Sequence, residues 1–180
     1  MEKAVTGQPS SVDHVAALST FSTTREKLLE HRFIAEIGAR LWECGIFDFS
    51  VSHSEVDNSG YDVIIEVGAV IRHIQLKASH SKGKTSKVPI QKRLTEKPSG
   101  CVVWLIHDSA SLEVERFLWL GRDAGQPLSA TDIGDILAKH TKADMKGRKA
   151  ERPALREVAR RKFTEPSSWH HLTTKLFGCE

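Results

Sequence analysis

Two adjoining apolar runs, separated by a glycine, constrain the fold of this chain more than any other feature of its sequence. Residues 63–67 form a dense β-branched run, Gly68 interrupts it, and residues 70–77 resume the apolar pattern. β-branched residues favour extended strands, and a glycine between two such runs favours a tight turn. The pattern therefore predicts a β-hairpin, whose antiparallel strands bring Asp62, before the first run, beside Lys77, at the end of the second.

Three polar side chains are predicted to converge at the open end of this hairpin. Gln75 and Lys77 point the same way because they lie two residues apart on one strand, and Asp62 lies beside them. Mg²⁺ prefers oxygen ligands, which the Asp62 carboxylate, the Gln75 side chain and the backbone carbonyl of Leu76 can supply. The Lys77 ammonium group can orient or help to deprotonate a water molecule that attacks a phosphodiester. The alternative is an ordinary edge hairpin whose polar residues face water.

A long amphipathic helix is predicted over residues 25–44, and it carries a further acid. Phe33, Ile37 and Leu41 recur at helical spacing, and Gly45 stands where a helix commonly ends. Glu30 falls in the middle of this apolar stripe, where an unpaired carboxylate is costly. A metal ion or the lysine of the hairpin would pair with it. The alternative is that the helix begins later and that Glu30 is exposed.

A second acid of the same helix, Glu36, competes with Glu30 for this role. Glu36 lies well away from the centre of the apolar stripe, so it is predicted to be a surface acid that interacts with Arg40, four residues further on. Glu30 is therefore the first candidate for an acid that reaches the site from the helix.

The arrangement Asp62…Gln75-x-Lys77 resembles the active-site pattern of the PD-(D/E)xK nuclease superfamily, in the variant in which Gln replaces the acid before x-Lys. The resemblance covers residues 25–120 and implies an α/β, restriction-endonuclease-like core with a mixed central sheet flanked by helices. It implies Mg²⁺ or Mn²⁺ as cofactor, bound by Asp62, Gln75 and Glu30, with Lys77 completing the catalytic set. The neutral Gln75 leaves the site one negative charge short, which makes Glu30 more important as a charge donor.

The other core elements are predicted from short apolar runs. We expect a first strand at residues 47–51, a short helix at 88–97, an interior strand at 101–106, another strand at 117–120 and a last helix at 169–177. Residues 79–87 are polar and basic and are predicted to form a loop beside the proposed site. Lys82 and Lys84 of this loop would meet a phosphate backbone that passes the site.

Positive charge is concentrated near the C-terminal end. Residues 139–162 contain ten Lys or Arg and three Asp or Glu, which is a net charge of +7. A loop followed by a helix over residues 153–163 is predicted here, within a basic C-terminal segment, 139–180. Such a segment attracts polyanions, and the alternative is a solvated basic helix that serves solubility. The predicted nucleic-acid contacts are Lys142, Arg148, Lys149, Arg152 and Arg156.

Length and cysteine content narrow the class of protein. A chain of 180 residues can bury a core of its own, and we predict one domain at 25–180 after a loose N-terminal arm, 1–24, with one short helix near 12–18. The three cysteines show no CxxC spacing, which indicates a reducing, cytoplasmic setting and no zinc site. No apolar stretch approaches the roughly 20 residues of a membrane span, and residues 1–24 lack the apolar centre of a signal peptide.

The sequence thus predicts a Mg²⁺-dependent DNA endonuclease, with duplex DNA as the expected nucleic-acid partner, in a bacterial defence or repair setting. RNA stays open as a substrate, and a homodimer is compatible with the fold. One alternative is a nucleic-acid-binding module that keeps the nuclease fold but does not cut. Another is an interaction scaffold in a defence or toxin system.

Overall fold

A computed structural model describes residues 13–54, 59–140, 145 and 147–179 of the chain. Helices and strands alternate irregularly along these residues, and two short 3₁₀ turns, Lys92–Glu96 and Arg160–Lys162, follow strands. The helices are α1 (His14–Thr20), α2 (Ser22–Glu43), α3 (Ala130–Ile133) and α4 (Trp169–Phe177). The strands are β1 (Phe49–His53), β2 (Val63–Val67), β3 (Val70–His80), β4 (Lys87–Gln91), β5 (Gly100–His107), β6 (Val114–Leu120), β7 (Leu137–Lys139) and β8 (Glu151–Ala159).

Two sheets form the β structure. Sheet A has the strand order β1-β2-β3-β5-β6, and sheet B has the order β4-β8-β7. In sheet A, β3 and β5 are parallel, whereas its other neighbouring strands are antiparallel. The prediction of an α/β chain with a mixed sheet and flanking helices is confirmed at this level.

The predicted hairpin is present as β2 and β3. Val63 pairs with Ile74 and Val67 with Val70 in an antiparallel ladder. Gly68 is the first residue of the connecting turn and has a φ of +56°, a conformation that side chains other than glycine adopt only with strain.

Sheet A lies between two apolar layers, and β5 contributes to both. All eight of its residues are buried, which confirms the predicted interior strand. Cys101, Val103 and Leu105 pack with α2 and α4 on one face. Val102, Trp104 and Ile106 pack on the other face against a second core, to which β4 and β8 contribute. This alternation follows from the two-residue period of a strand.

The predictions for the helices on the first face are largely correct. The last helix, α4, has the predicted bounds, with Ser168 accepting a hydrogen bond from the backbone N–H of His171 at its start. α2 begins three residues earlier than predicted, so Glu30 lies well inside it. The pair expected between Glu36 and Arg40 is replaced by an ion pair of Arg40 with Glu43, at 2.9 Å.

Two predicted helices are wrong, and both segments belong to sheet B. Residues 88–97 form most of β4 and a 3₁₀ turn, and residues 153–163 form most of β8 and a second 3₁₀ turn. β4 and β8 pair with each other, so a partner distant in sequence decides their conformation. Pro153, the predicted helix start, lies where the pairing of β7 with β8 shifts register. Prolines within sheets concentrate at such irregularities because they lack a backbone N–H.

The short helix predicted near residues 12–18 is present as α1. α1 lies within the predicted arm, 1–24, although residues 1–12 are outside the described residues. Within the part of the chain that the structure describes, no helix is both long enough and apolar enough to cross a membrane.

Candidate active site

The candidate site lies where β2 begins and β3 continues past it. Asp62 directly precedes β2, and β3 runs on beyond Lys77 to His80. The ladder between β2 and β3 ends at the pair Val63 and Ile74, and Asp62 lies immediately beyond this last pair. Gln75 and Lys77 alternate with Ile74 and Leu76, which pack toward the helices.

The hydrogen bonds of Asp62 fix its carboxylate beside β3. The backbone N–H of Asp62 donates to the carbonyl of Ile74 at 2.9 Å. Its side-chain Oδ2 accepts the backbone N–H of Leu76 at 2.6 Å. The Asp62 carboxylate thus accepts a backbone N–H of β3 that a backbone carbonyl would accept if β2 were longer. The carboxylate is thereby held at the open end of the hairpin.

The electrostatic setting of Asp62 disfavours its charged form. Its pKa is raised, chiefly because surrounding protein displaces water from the carboxylate, although the residue as a whole keeps contact with solvent. The Leu76 N–H and the Lys77 ammonium lower the pKa in part, whereas the Glu30 carboxylate raises it further. The neighbourhood of Asp62 can therefore accept additional positive charge.

Lys77 is shifted toward its neutral form. Burial lowers the pKa of its amine, the nearby Asp62 and Glu26 carboxylates oppose that shift, and Arg152 adds to it. Arg152 belongs to β8, so the basic C-terminal segment is close enough to act on this amine. An amine with a lowered pKa is better able to take a proton near neutral pH.

Glu30 is buried in α2, as predicted, with 7 % of its surface exposed. Its partners differ from those expected. Lys27 Nζ lies 2.9 Å from Oε1 and 3.1 Å from Oε2, and His53 Nδ1 lies 3.1 Å from Oε1. Glu30 influences Asp62 electrostatically, so these two acids belong to one neighbourhood.

Gln75 has a structural partner. It is 5 % exposed, and its Oε1 accepts the backbone N–H of Gln91 at 3.1 Å. This bond links β3 to β4 and thereby sheet A to sheet B. An amide oxygen has two lone pairs, so the bond occupies one of them. The assignment of Gln75 as a metal ligand stays a prediction.

The donor set fits a hard cation only in part. No group of three or more His, Cys, Asp or Glu residues within 13–54, 59–140, 145 and 147–179 is arranged to hold a metal ion. Asp62 and Glu30 supply two carboxylates, and amide or backbone oxygens would have to complete the shell. The raised pKa of Asp62, to which Glu30 contributes, is an observation in favour of a cation here, because a cation would offset both effects.

The predicted phosphate-binding residues fall into two groups. Lys82 and Lys84 are exposed in the loop between β3 and β4, and Arg148, Lys149 and Arg152 are exposed at and before the start of β8. Arg156 differs, since it is partly buried and its Nη1 donates to the carbonyls of Pro153 and Leu155. Lys142 lies outside the described residues.

Sequence reasoning missed Lys27 and His53 as members of the site. Lys27 precedes Glu30 by three residues, a spacing that brings side chains together on a helix, so it had a local signal. His53 pairs with Val63, the residue after Asp62, and only the register of β1 on β2 reveals this.

A scan of the chain against models of protein families found no match, and a search of curated proteins found no similar sequence. The case for a function therefore depends on the chemistry of the site itself.

Proposed function

We propose that this chain is a Mg²⁺- or Mn²⁺-dependent endonuclease that hydrolyses phosphodiester bonds of DNA on a restriction-endonuclease-like core. One observation carries the proposal: the Asp62 carboxyl, whose pKa is raised, and the Lys77 amine, whose pKa is lowered, lie close together at the open end of a hairpin, with a buried acid from a helix nearby. Opposed shifts of this kind are typical of catalytic sites.

Metal binding would fall to Asp62 and Glu30, with Gln75 and the carbonyl of Leu76 as neutral candidates. When bound, a divalent cation supplies Lewis-acid stabilisation of the charge that develops on the phosphoryl oxygens. Asp62 is held for this role by the Leu76 N–H. Glu30 is held by Lys27 and His53.

Proton transfer would fall to Lys77. Its neutral amine can orient the attacking water and take its proton, and Arg152 favours the neutral form. Arg152 and its basic neighbours Arg148 and Lys149 would contact phosphates next to the cleaved bond. This places the charge that attracts DNA close to the groups that act on it.

The order of elements also supports the proposal. A helix precedes three antiparallel strands, and a further strand then pairs in parallel with the third, which fits the mixed central sheet that the resemblance implies. The segment between those parallel strands departs from the expectation, because it contains β4 and a 3₁₀ turn in place of the predicted helix.

Plasmid cleavage tests the proposal. We expect the purified chain to nick or cleave plasmid DNA with Mg²⁺ or Mn²⁺, and EDTA to stop the reaction. Lys77→Met keeps the apolar stem of the side chain but removes the amine, so it should abolish cleavage and leave DNA binding largely intact. Lys92→Met, at an exposed lysine in the 3₁₀ turn after β4, is the matched control. Cleavage by Lys77→Met at the wild-type rate would refute the assignment of this site.

A non-cleaving nucleic-acid-binding module is the second candidate. The hydrogen bond between Gln75 and Gln91 favours it, because a neutral side chain with a structural partner stands where the resembled family has a metal-binding acid. Metal-independent DNA binding without any cleavage would support this candidate.

A further inference from the structure

His53 links the edge strand of sheet A to the buried acid of α2. Its Nδ1 lies 3.1 Å from Glu30 Oε1, and 45 % of its side chain is exposed, whereas the Glu30 side chain is 9 % exposed. His53 is the last residue of β1 and pairs with Val63, the residue after Asp62. The imidazole therefore lies at the same end of the sheet as both candidate metal ligands.

The two partners of Glu30 hold it in different ways. Lys27 is on the same helix, three residues before Glu30, and its side chain is 61 % exposed. It therefore moves with α2 and does not fix the carboxylate relative to the sheet. His53 belongs to a different element, so its contact of 3.1 Å with Oε1 joins Glu30 to the strand ends beside Asp62.

We propose that His53 is a positioning residue, whose Nδ1–H holds the Glu30 carboxylate in the orientation in which Glu30 and Asp62 bind a divalent cation together. The inference rests on the proposed function and extends it to a residue that the sequence pattern does not include. Groups that orient a metal ligand typically change metal affinity or activity by about 10–100-fold when they are removed.

Binding of Mn²⁺ alone to the full chain, followed by electron paramagnetic resonance, tests the inference without relying on activity. We expect His53→Ala to weaken Mn²⁺ binding by roughly 10–100-fold. It should lower kcat for plasmid cleavage while leaving KM for DNA nearly unchanged. His53→Asn should restore most of both losses, because the Asn amide N–H can occupy the position of Nδ1–H. His31→Ala, at an exposed histidine on α2, should change neither quantity.

A second background separates positioning from a direct role. In a Glu30→Ala chain, adding His53→Ala should cause no further loss of Mn²⁺ affinity, because the group that His53 orients is gone. A further loss would overturn the inference, as would wild-type Mn²⁺ affinity in His53→Ala itself. If the wild-type chain cleaves DNA and binds Mn²⁺ but His53→Ala matches it, the positioning role fails while the proposed function stands. If the wild-type chain neither binds Mn²⁺ nor cleaves, both fail.

Discussion

Arg72 offers a test of how the layer of helices is attached to sheet A. It lies on β3 and is fully buried, with 0 % of its surface exposed. Its Nε donates to the carbonyl of Leu176 at 2.6 Å, Nη2 to that of Lys175 at 3.0 Å and Nη1 to that of Arg122 at 3.0 Å. Two of these acceptors are in the last turn of α4, where carbonyls lack helical partners and the helix dipole favours a cation.

Replacing Arg72 by Met removes all three donors but keeps most of the apolar stem. A hydrogen bond from a charged donor contributes about 1.5–3 kcal/mol, so three of them set an upper range of about 5–9 kcal/mol. Part of this is offset, because burying the guanidinium is itself costly. We expect the free energy of unfolding to fall by about 3–5 kcal/mol, because the desolvation cost of the guanidinium is removed together with its three hydrogen bonds.

Urea unfolding followed by far-ultraviolet circular dichroism measures this loss as a lower midpoint at an unchanged slope. The matched control is Arg122→Met, which removes an exposed ion pair with Asp132 at 2.8 Å and should lower the midpoint far less than Arg72→Met does, because solvent screens exposed ion pairs. Arg72→Lys keeps the charge but not the planar fork, so it should retain only a small part of the stability. A loss below about 1 kcal/mol in Arg72→Met would refute this account, because three orphaned carbonyls cost more than that.

Three further predictions concern the site. The raised pKa of Asp62 means that folding favours its protonated form, so its stabilising contribution is full below the ordinary pKa of 3.8 and is lost as pH rises through the folded-state value. Asp62→Asn keeps an acceptor for the Leu76 N–H but carries no charge. At pH 7 it should abolish cleavage, because the carboxylate is gone, and raise the urea midpoint, because the folded chain no longer holds a disfavoured charge. A lower midpoint would contradict this. The lowered pKa of Lys77 means that the unfolded chain binds more protons between the folded-state pKa and 10.5. Stability of the wild type relative to Lys77→Met should therefore rise with pH across that window, and a constant difference would refute the shift. The last of the three concerns a variant in which Arg148, Lys149 and Arg152 are replaced by Ala. The slope of log affinity for duplex DNA against log salt concentration should become shallower by about 0.9 for each phosphate that the variant no longer neutralises. Equal slopes in the variant and the wild type would exclude these residues from DNA binding.

The elements that the sequence predicted best are those with strong local patterns. The hairpin has an apolar run on each side of a glycine, α2 has apolar residues at helical spacing from Leu29 to Leu41, and β5 is a continuous apolar run of strand length. The position of Asp62 beside β3 followed from the antiparallel geometry of a hairpin alone. These inferences needed no knowledge of what packs against the elements.

Sheet B was missed because its pairing is not local. The apolar residues Leu155 and Val158 are three apart, which suits one face of a helix, and Pro153 suits a helix start. The structure instead pairs Val158 with Val88 and Leu155 with Gln91. Nothing in the sequence near residue 155 indicates that β4 will be its neighbour. The same limit applies to His53, whose relation to Glu30 depends on how β1 and α2 are placed around the hairpin.

Sheet B gives a physical reason for the neutral residue at position 75. The Gln75 side chain is almost completely buried and accepts the N–H of Gln91, at the contact between the two sheets. A charged carboxylate at this depth would be costly unless a cation were always bound. A neutral amide keeps the hydrogen bond at no such cost, so the sheets can pack whether or not a metal is present. Arg152 of sheet B also lowers the pKa of Lys77. The packing of sheet B against sheet A therefore affects both the residue type at position 75 and the pKa of the amine at position 77. On the proposed function, the negative charge for metal binding would then come from Asp62 and Glu30, and the contact of His53 with Glu30 would matter for the orientation of that carboxylate.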